Sequence, residues 1–248
     1  MNDRLEQPLL QVRGLVRRFG GLVAVDGLSF TVGAGELVGL LGPNGSGKST
    51  AINLISGVFA PDAGAVLLDG QPITGWAPHR VARAGIARTF QLVRVLPSLT
   101  LAENVQLAVA FHAGGARQTG ANARDWLKRV GLADKAQSQP SELTYIDQKR
   151  LELARALALQ PRLLMLDEWL AGLNPTELQQ AIALVRSLAA EGIAILMVEH
   201  VMEAVRALCS RAVVMHHGRV IAQGPTAQVL ADPEVLRCYL GEEVTADV

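Results

Sequence analysis

Short apolar runs separated by glycine dominate the first third of the chain. A turn after each run is expected at Gly33, Gly35, Gly64 and Gly70. The four main runs are Leu9–Val12, Gly21–Val32, Leu37–Leu41 and Ala65–Leu68. A further short apolar run is Gly85–Phe90. This pattern predicts an amino-terminal part built from β-strands.

The middle of the chain has a helical pattern. From Leu101 to Ala158, apolar residues recur at the spacing of one helix face. Small and polar residues interrupt this pattern at His112–Ala121 and at Asp134–Ser141, which predicts loops there. Residues 92–155 are therefore predicted to form a helical subdomain.

The last third alternates between predicted strands and helices. The strands are Leu163–Leu166, Ile193–Val198, Ala212–Met215 and Arg219–Ala222, and the helices between them are Pro175–Ala189 and Val201–Leu208. Such alternation is typical of βαβ crossovers and predicts a mainly parallel sheet. We therefore expect an α/β fold in a single domain over residues 1–248, with its core in 1–91 and 156–248.

Composition and charge narrow the function classes. Half of the residues are hydrophobic and 4% are aromatic, so an interior of Leu, Val, Ile and Ala is expected. The chain has 23 basic and 23 acidic residues, which gives no electrostatic attraction to nucleic acid. Cys209 and Cys238 lack metal-ligand spacing and fit a reducing compartment. Without a secretory signal or an apolar run of ~20 residues, a cytoplasmic location is expected.

A glycine-rich loop separates the predicted strand Leu37–Leu41 from a helical run, Thr50–Ser56. It matches the phosphate-binding pattern G-x-x-x-x-G-K-[ST], in which backbone N–H groups and a helix amino terminus bind one anion. In this pattern Lys48 reaches the β and γ phosphates, and Ser49 offers its hydroxyl to Mg²⁺. The predicted nucleotide-binding residues of the loop are Gly42, Pro43, Asn44, Gly45, Ser46, Gly47, Lys48, Ser49 and Thr50.

A pair of carboxylates follows the apolar strand in the last third. Asp167 is placed to hold Mg²⁺ through water, and Glu168 is placed to polarise the attacking water. Gln91 and His200 also follow strands, where parallel sheets bind ligands. Each has a plainer alternative, because Gln91 can cap a helix and His200 can be an ordinary residue at a helix start. The predicted catalytic residues are Glu168, His200 and Gln91, and the predicted metal-binding residues are Ser49, Gln91 and Asp167.

The order of these motifs resembles that of ABC transporter ATP-binding subunits, over nearly the whole chain. The resemblance implies a P-loop NTPase core with a mainly parallel sheet, an amino-terminal antiparallel β subdomain and the inserted helical subdomain. It also implies that Phe19 stacks on adenine, that Gln91 touches Mg²⁺ and senses a transmembrane partner, and that His200 contacts the γ phosphate. The matching segments are Gly42–Thr50 for Walker A, Asp167-Glu168 for Walker B and its catalytic carboxylate, and Gly172–Pro175 for the D-loop.

Within this family the chain looks most like importer ATPases for branched-chain amino acids, and similar to those for urea and amides. The resemblance implies two ATPase subunits that sandwich two ATP molecules, transmembrane permease subunits, and indirectly a solute-binding protein. The chain would then lie on the inner face of the cell membrane, with Leu92–Gln139 docking the permease near Gln91. The segments that carry this resemblance are Arg88–Gln91, Ala171–Pro175, Val198–His200 and Tyr239–Glu243.

The signature segment departs from the family pattern. The family reads Leu-Ser-Gly-Gly-Gln or Leu-Ser/Ala-Tyr-Gly-Gln, whereas residues 143–148 read Leu-Thr-Tyr-Ile-Asp-Gln. The resemblance implies that Thr144, Tyr145, Ile146 and Asp147 face the ATP of the opposite subunit. Ile146 is expected to obstruct close approach and to disfavour positive φ, and Asp147 to repel phosphate unless screened. The hypothesis is a weakened signature, in which Ile146→Gly with Asp147→Gln raises turnover; the alternative is ordinary activity after local adjustment.

Two more positions differ from the family pattern beside dimer-facing segments. Trp169 stands where proline normally follows the catalytic glutamate, and Val201 stands where aspartate normally follows the switch histidine.

The main hypothesis is an ATPase that powers import of branched-chain amino acids or similar solutes. The alternatives are an ATP-binding but hydrolysis-impaired regulatory subunit, and a soluble ABC ATPase of DNA repair or translation. Neutral charge and the absence of long heptad repeats disfavour the last.

Overall fold

The computed structural model describes residues 7–113 and 122–244. The strands in these ranges are β1 (Leu10–Phe19), β2 (Leu22–Val32), β3 (Leu37–Leu41), β4 (Ala63–Leu68), β5 (Gln71–Pro72), β6 (Ile86–Arg88), β7 (Leu163–Asp167), β8 (Ala194–Val198), β9 (Arg211–His216) and β10 (Arg219–Pro225). The helices are α1 (Lys48–Ile55), α2 (Pro78–Arg83), α3 (Leu101–Ala113), α4 (Ala123–Arg129), α5 (Tyr145–Ala158), α6 (Pro175–Ala190), α7 (Met202–Leu208), α8 (Thr226–Val229) and α9 (Pro233–Val244). The predicted loop His112–Ala121 lies largely outside the described residues.

A six-stranded sheet forms the centre of the fold, in the order β10-β9-β3-β8-β7-β6. Its neighbours pair in parallel, except that β10 runs antiparallel to β9. Every residue of β3, β7 and β8 is buried, as continuous apolar strands covered on both faces should be. The predicted parallel sheet is confirmed.

The two faces of this sheet belong to two hydrophobic clusters. Along β7, Leu164 and Leu166 pack with the cluster that includes α5 and α6, whereas Leu163 and Met165 pack with the cluster that includes α1 and β1. Successive side chains of a strand point to opposite faces, which explains the alternation. The sheet is therefore covered on both sides, and its loops at the strand ends remain available for a site.

A second, four-stranded sheet in the order β2-β1-β4-β5 is antiparallel and lies in the amino-terminal part of the chain. The predicted end of the first strand at Val12 was wrong. Gly14 has a φ of +58° and lies at a register shift between Val12 and Leu15, so the strand passes through a bulge and continues. The extension carries Phe19 to the far end of β1.

Helices α3, α4 and α5 pack against one another, as the helical pattern predicts. The division of the chain near residue 155 stays a prediction, and α5 runs across that position. Among the described residues, every helix is too short or too polar to cross a lipid bilayer.

Candidate nucleotide-binding site

The loop between β3 and α1 has the conformation of a phosphate cradle. Gly45 and Gly47 have φ values of +76° and +104°, which only glycine adopts readily, and α1 starts directly after Gly47. The Nζ of Lys48 donates to the carbonyl oxygens of Gly42 (2.6 Å) and Pro43 (2.8 Å). The loop thus encloses a lysine charge at a helix amino terminus, where anions bind.

Close packing fixes this loop against two strands. A Cβ at Gly42 would lie 2.1 Å from the carbonyl oxygen of Met215, and one at Gly47 would lie 2.4 Å from that of Ala24. The hydroxyl of Ser46 is buried and has no hydrogen-bond partner within the described part of the chain. A buried hydroxyl without a partner is costly, and a phosphate oxygen bound in the cradle would accept its hydrogen bond.

The turn between β9 and β10 also holds the loop in place. The backbone N–H of Gly218 donates to the carbonyl oxygen of Ser46 (3.0 Å), and the N–H of Asp26 donates to the carbonyl oxygen of Gly218 (2.9 Å). This turn therefore bridges the phosphate loop and β2. Segments that are far apart in the sequence therefore hold the phosphate loop together.

An open cavity of about 430 Å³ joins most of the predicted nucleotide-binding residues. Phe19 is 40% exposed at this cavity and makes an edge-to-face contact with Phe59, with ring centroids 5.4 Å apart. Gly42 and Pro43 do not line this cavity. The lining comprises Phe19, Leu22–Ala24, Asn44–Thr50, Gln91, Glu168, His217 and Gly218. The cavity therefore has an aromatic side chain, a phosphate cradle and a carboxylate.

Asp167 ends β7 as a buried carboxylate. Burial raises its pKa, whereas the guanidinium of Arg88, 3.2 Å away, lowers it. Its backbone N–H donates to the hydroxyl of Thr89 (3.3 Å). This strand end positions the carboxylate at the same edge of the sheet as the phosphate loop.

The residues predicted to bind Mg²⁺ lie together. Ser49, Gln91 and Asp167 line one cavity of about 290 Å³ beside the phosphate loop. They offer hydroxyl, amide and carboxylate oxygens, which are the hard donors that Mg²⁺ prefers. No group of three or more His, Cys, Asp or Glu side chains suited to a metal occurs in the described residues. A Mg²⁺ ion fits this donor set if phosphate and water supply its other ligands.

Glu168 lines the larger cavity and has a strained backbone conformation. Its φ is +50°, and its Oε2 accepts a hydrogen bond from Nε2 of Gln91 (2.9 Å). A non-glycine residue in the left-handed region costs about 1–3 kcal/mol and persists where surrounding contacts hold it, often at functional sites. Glu168 and Gln91, two of the predicted catalytic residues, are therefore in contact at the larger cavity.

Comparison with known protein families decides the class. The family model described as "ABC transporter" matches residues 25–171, more than half of the chain. The chain belongs to the ABC transporter ATP-binding family. A second model, described as "Branched-chain amino acid ATP-binding cassette transporter", matches residues 219–245 of this cassette.

Relatives and solved structures agree with this assignment. The cassette is 38% identical to the high-affinity branched-chain amino acid transport ATP-binding protein BraF of Pseudomonas aeruginosa, over 96% of this chain and 100% of that protein. It is 40% identical to the corresponding protein LivG of Escherichia coli K12, with the same coverage. A solved ATP-binding cassette of an ABC transporter in its ADP conformation is 30% identical, with a TM-score of 0.84, over 95% of this chain and 99% of that one. The P-loop ATPase fold is therefore shown.

His200 is placed differently from the other predicted catalytic residues. It follows β8 by two residues, is exposed, and lines neither of the two cavities. Its contact with the γ phosphate stays a prediction. Among the residues that the sequence did not single out, His217 lines the larger cavity. It precedes the glycine of a tight β-turn, a position that by itself carries no ligand signal.

The backbone at Ile146 differs from the expected conformation with positive φ. Thr144 caps α5, where its hydroxyl accepts from the N–H of Asp147 (3.4 Å), and Ile146 lies within the first helical turn. Its φ is not positive, and its side chain is only 7% exposed. The side chain thus points away from solvent, whereas Tyr145 is 52% exposed. The expectation of an unfavourable φ at Ile146 was wrong because a helix, not a glycine turn, begins here.

The charge of Asp147 is neutralised locally. It is 6% exposed and forms ion pairs with Lys135 and Arg150, the latter at 3.3 Å. The expected repulsion between Asp147 and phosphate required that no such cations lie near this carboxylate. Replacing Asp147 would remove the carboxylate that pairs with Lys135 and Arg150. Higher turnover from Ile146→Gly with Asp147→Gln stays a prediction.

Glu199 is a buried carboxylate that sequence analysis did not single out as a site residue. Its Oε1 accepts from the N–H of Leu170 (2.6 Å), and its Oε2 has no partner among the described residues. Burial raises its pKa to about 7, with the neighbouring N–H of Leu170 and the ammonium of Lys149 opposing the shift. The one feature of the sequence that could have pointed to Glu199 is its position directly before His200, the predicted switch histidine.

Stability should depend on pH through Glu199. Because its folded pKa of about 7 exceeds the ordinary 4.5, its contribution is complete below pH 4.5 and is lost as pH rises through 7. The unaltered chain should lose stability between pH 5 and pH 8, whereas Glu199→Gln, which has no charge to bury, should not. The unfolding free energy of the variant relative to that of the unaltered chain should therefore rise by up to about 3 kcal/mol over this range. Urea unfolding at both pH values measures this. Glu234→Gln, an exposed control, should show no such difference; an equal difference at both pH values for Glu199→Gln would contradict the prediction.

Proposed function

We propose that this chain binds and hydrolyses Mg-ATP as the energy-coupling ATPase subunit of an importer for branched-chain amino acids or similar small solutes. The observation that carries the proposal is the meeting of Glu168 and Gln91, 2.9 Å apart, at the edge of the phosphate cradle. The names of the relatives BraF and LivG support the solute class. An ATPase subunit contacts no solute itself, so the relatives alone suggest the cargo.

Each part of the site has a chemical task in this proposal. The cradle binds the β and γ phosphates, and Lys48 turns from its loop carbonyls towards them. Ser49, Asp167 and Gln91 hold Mg²⁺, which neutralises phosphate charge when bound. Glu168 accepts a proton from the water that attacks the γ phosphate, and its hydrogen bond with Gln91 orients its carboxylate.

A groove beside Gln91 is the proposed permease-docking surface. It has a volume of about 400 Å³ and combines apolar side chains with charged ones. Leu107 is 51% exposed there, and Arg94 lies over the ring of Phe90 at 4.3 Å. The permease would hold the chain at the inner face of the membrane, and a solute-binding protein would act through the permease.

A second cassette subunit is the other proposed partner. A solved dimeric ATP-binding cassette in a post-hydrolysis state, bound to ADP and Pi, is 25% identical to this chain, with a TM-score of 0.78 over 88% of this chain and 98% of that one. In our proposal Thr144 and the exposed Tyr145 face the nucleotide of the opposite subunit. Ile146 and Asp147 are buried in the single chain, so their contact with that nucleotide requires movement of the helix start.

Steady-state phosphate release tests the proposed function. The chain is purified with co-expressed permease subunits, and hydrolysis is measured with and without Mg²⁺. We expect Mg²⁺-dependent turnover that a saturating solute-loaded binding protein increases. ATP binding without turnover would instead support the hydrolysis-impaired alternative, and turnover indifferent to every branched-chain amino acid would remove the proposed solute class.

Phe19→Ala should weaken nucleotide binding through the base alone. Base–aromatic stacking contributes about 1–3 kcal/mol, so we expect about tenfold weaker binding of ATP. Binding of inorganic tripolyphosphate, which lacks a base, should stay within about twofold because the cradle is untouched. Calorimetric titration with both ligands measures this, and Leu236→Ala, an exposed side chain on α9, is the control. Equal loss for both ligands would show that Phe19 acts on the cradle instead.

A further inference from the structure

A buried lysine joins α5 to the segment that follows Glu168. Lys149 is 2% exposed. Its Nζ donates to the carbonyl oxygens of Glu168 (3.3 Å), Trp169 (3.0 Å) and Ala171 (2.7 Å). In return, Nε1 of Trp169 donates to the carbonyl oxygen of Lys149 (3.1 Å). An ammonium has three N–H donors, and here each has a carbonyl acceptor on one short stretch of backbone.

The same stretch is held from β8. The N–H of Glu168 donates to the carbonyl oxygen of Val198 (2.9 Å), and the N–H of Leu170 donates to Glu199 (2.6 Å). Contacts from α5 and from β8 therefore fix the backbone of Glu168 from two directions. Such surroundings are what a residue with a φ of +50° requires to stay in that conformation.

The charge of Lys149 is directed at backbone rather than at a carboxylate. None of the ion pairs within the described residues includes Lys149. Burial lowers its pKa, and Glu199, Glu152 and Glu168 oppose this from longer range. A desolvated ammonium is costly to keep, so its three backbone hydrogen bonds, together with its position 4.8 Å from the ring centroid of Tyr145, are the contacts that retain it.

We propose that Lys149 is a positioning residue for Glu168, and that Trp169 completes the pair. Lys149 does not line the nucleotide cavity, so it acts on the reaction only by fixing the backbone that aims the carboxylate. A proline at position 169 has no indole N–H, and Trp169 supplies the bond that ties this segment back to α5. The inference rests on the proposed role of Glu168 in hydrolysis.

Lys149→Met tests this in the full chain with its permease. Loss of the three bonds lets Glu168 leave its strained backbone conformation, and small displacement of a catalytic group costs up to about 100-fold in rate. We expect kcat to fall about 10- to 100-fold, with the KM for ATP within about twofold because the cradle and Phe19 are unchanged. Lys149→Arg keeps donors at this place and should recover most of kcat.

A second readout needs no ATP. With Trp76→Phe and Trp126→Phe, the fluorescence of Trp169 alone reports this segment, and its quenching by acrylamide measures solvent access. We expect quenching to rise in Lys149→Met and to return towards the original value in Lys149→Arg. Unchanged quenching together with unchanged kcat would overturn the proposal.

Controls separate positioning from general loss of stability. Val66→Ala removes buried atoms from β4, where the side chain is 1% exposed, and should lower the melting temperature without lowering kcat. A fall in kcat no larger in Lys149→Met than in Val66→Ala would contradict the proposal. If Lys149→Met does not fold, Trp169→Phe deletes the indole bond together with a few buried ring atoms, and severalfold lower kcat at constant KM, beyond any change in Val66→Ala, is expected; unchanged kcat overturns the proposal. Absence of turnover in the unaltered chain would instead reject the proposed function, while the quenching result still tests the contact.

Discussion

Glu168→Gln is expected to lower the kcat of ATP hydrolysis at least about 100-fold, because general bases contribute about 10²–10⁴ in rate. Glutamine has the same shape and still offers an oxygen to Gln91, but it cannot take a proton from water. The cradle is unchanged, so the affinity for ATP should stay within about threefold. Steady-state phosphate release and titration with a fluorescent ATP analogue measure the two quantities.

Glu234→Gln is the matched control for this change. Glu234 is exposed on α9, far along the chain from the cradle, and the same replacement there should leave kcat unchanged. If Glu168→Gln kept normal turnover, another group would be the base and the assignment of Glu168 would be wrong. If it abolished ATP binding as well, Glu168 would have a structural role in the cradle.

Gly47→Ala should weaken ATP binding by blocking the cradle. The new Cβ would lie 2.4 Å from the carbonyl oxygen of Ala24, at a φ of +104°, so the loop must move. Strain of about 2 kcal/mol corresponds to roughly 30-fold in affinity, and the displaced N–H groups no longer converge on one phosphate. Calorimetric titration with ATP measures the change in Kd.

Gly131→Ala is the control that separates the steric clash of a new Cβ from the strain of a side chain at positive φ. Gly131 has a φ of +77° in the helical part, and a Cβ there would meet nothing within 4 Å. This variant should lose stability without losing ATP affinity. Equal weakening of ATP binding by Gly47→Ala and Gly131→Ala would mean that general destabilisation, and not the contact with Ala24, is responsible.

Local signals in the sequence were sufficient for the cradle and for Asp167. A buried strand, a glycine-rich loop and a helix follow one another directly around Lys48, and each element is specified by neighbouring residues. Phe19 required a resemblance, because a bulge at Gly14 extends β1 beyond its apolar start. The order of strands in the sheet then brings Gln91 to Glu168, which lies 77 positions further along the chain.

The signature segment and Lys149 show where sequence patterns stop being informative. The sequence left open whether the charge of Asp147 is screened, because Lys135 lies in a separate turn and reaches it only in the fold. Sequence analysis did not single out Lys149, since nothing nearby in sequence marks the three carbonyls that accept its hydrogen bonds. Interactions between distant segments decide both cases.

The contacts that hold the phosphate loop determine when the ATP site can form during synthesis. Residues 42–50 are translated before their partners, because β3 pairs with β8 and β9, and the N–H of Gly218 donates to the carbonyl oxygen of Ser46. These partners are made more than 140 residues later. Non-local pairing of this kind is slow to form, since a long loop must close first. The nucleotide motif is therefore translated well before the strands that complete its site, and a nascent chain that stops before β9 has the motif but not the folded site that binds nucleotide.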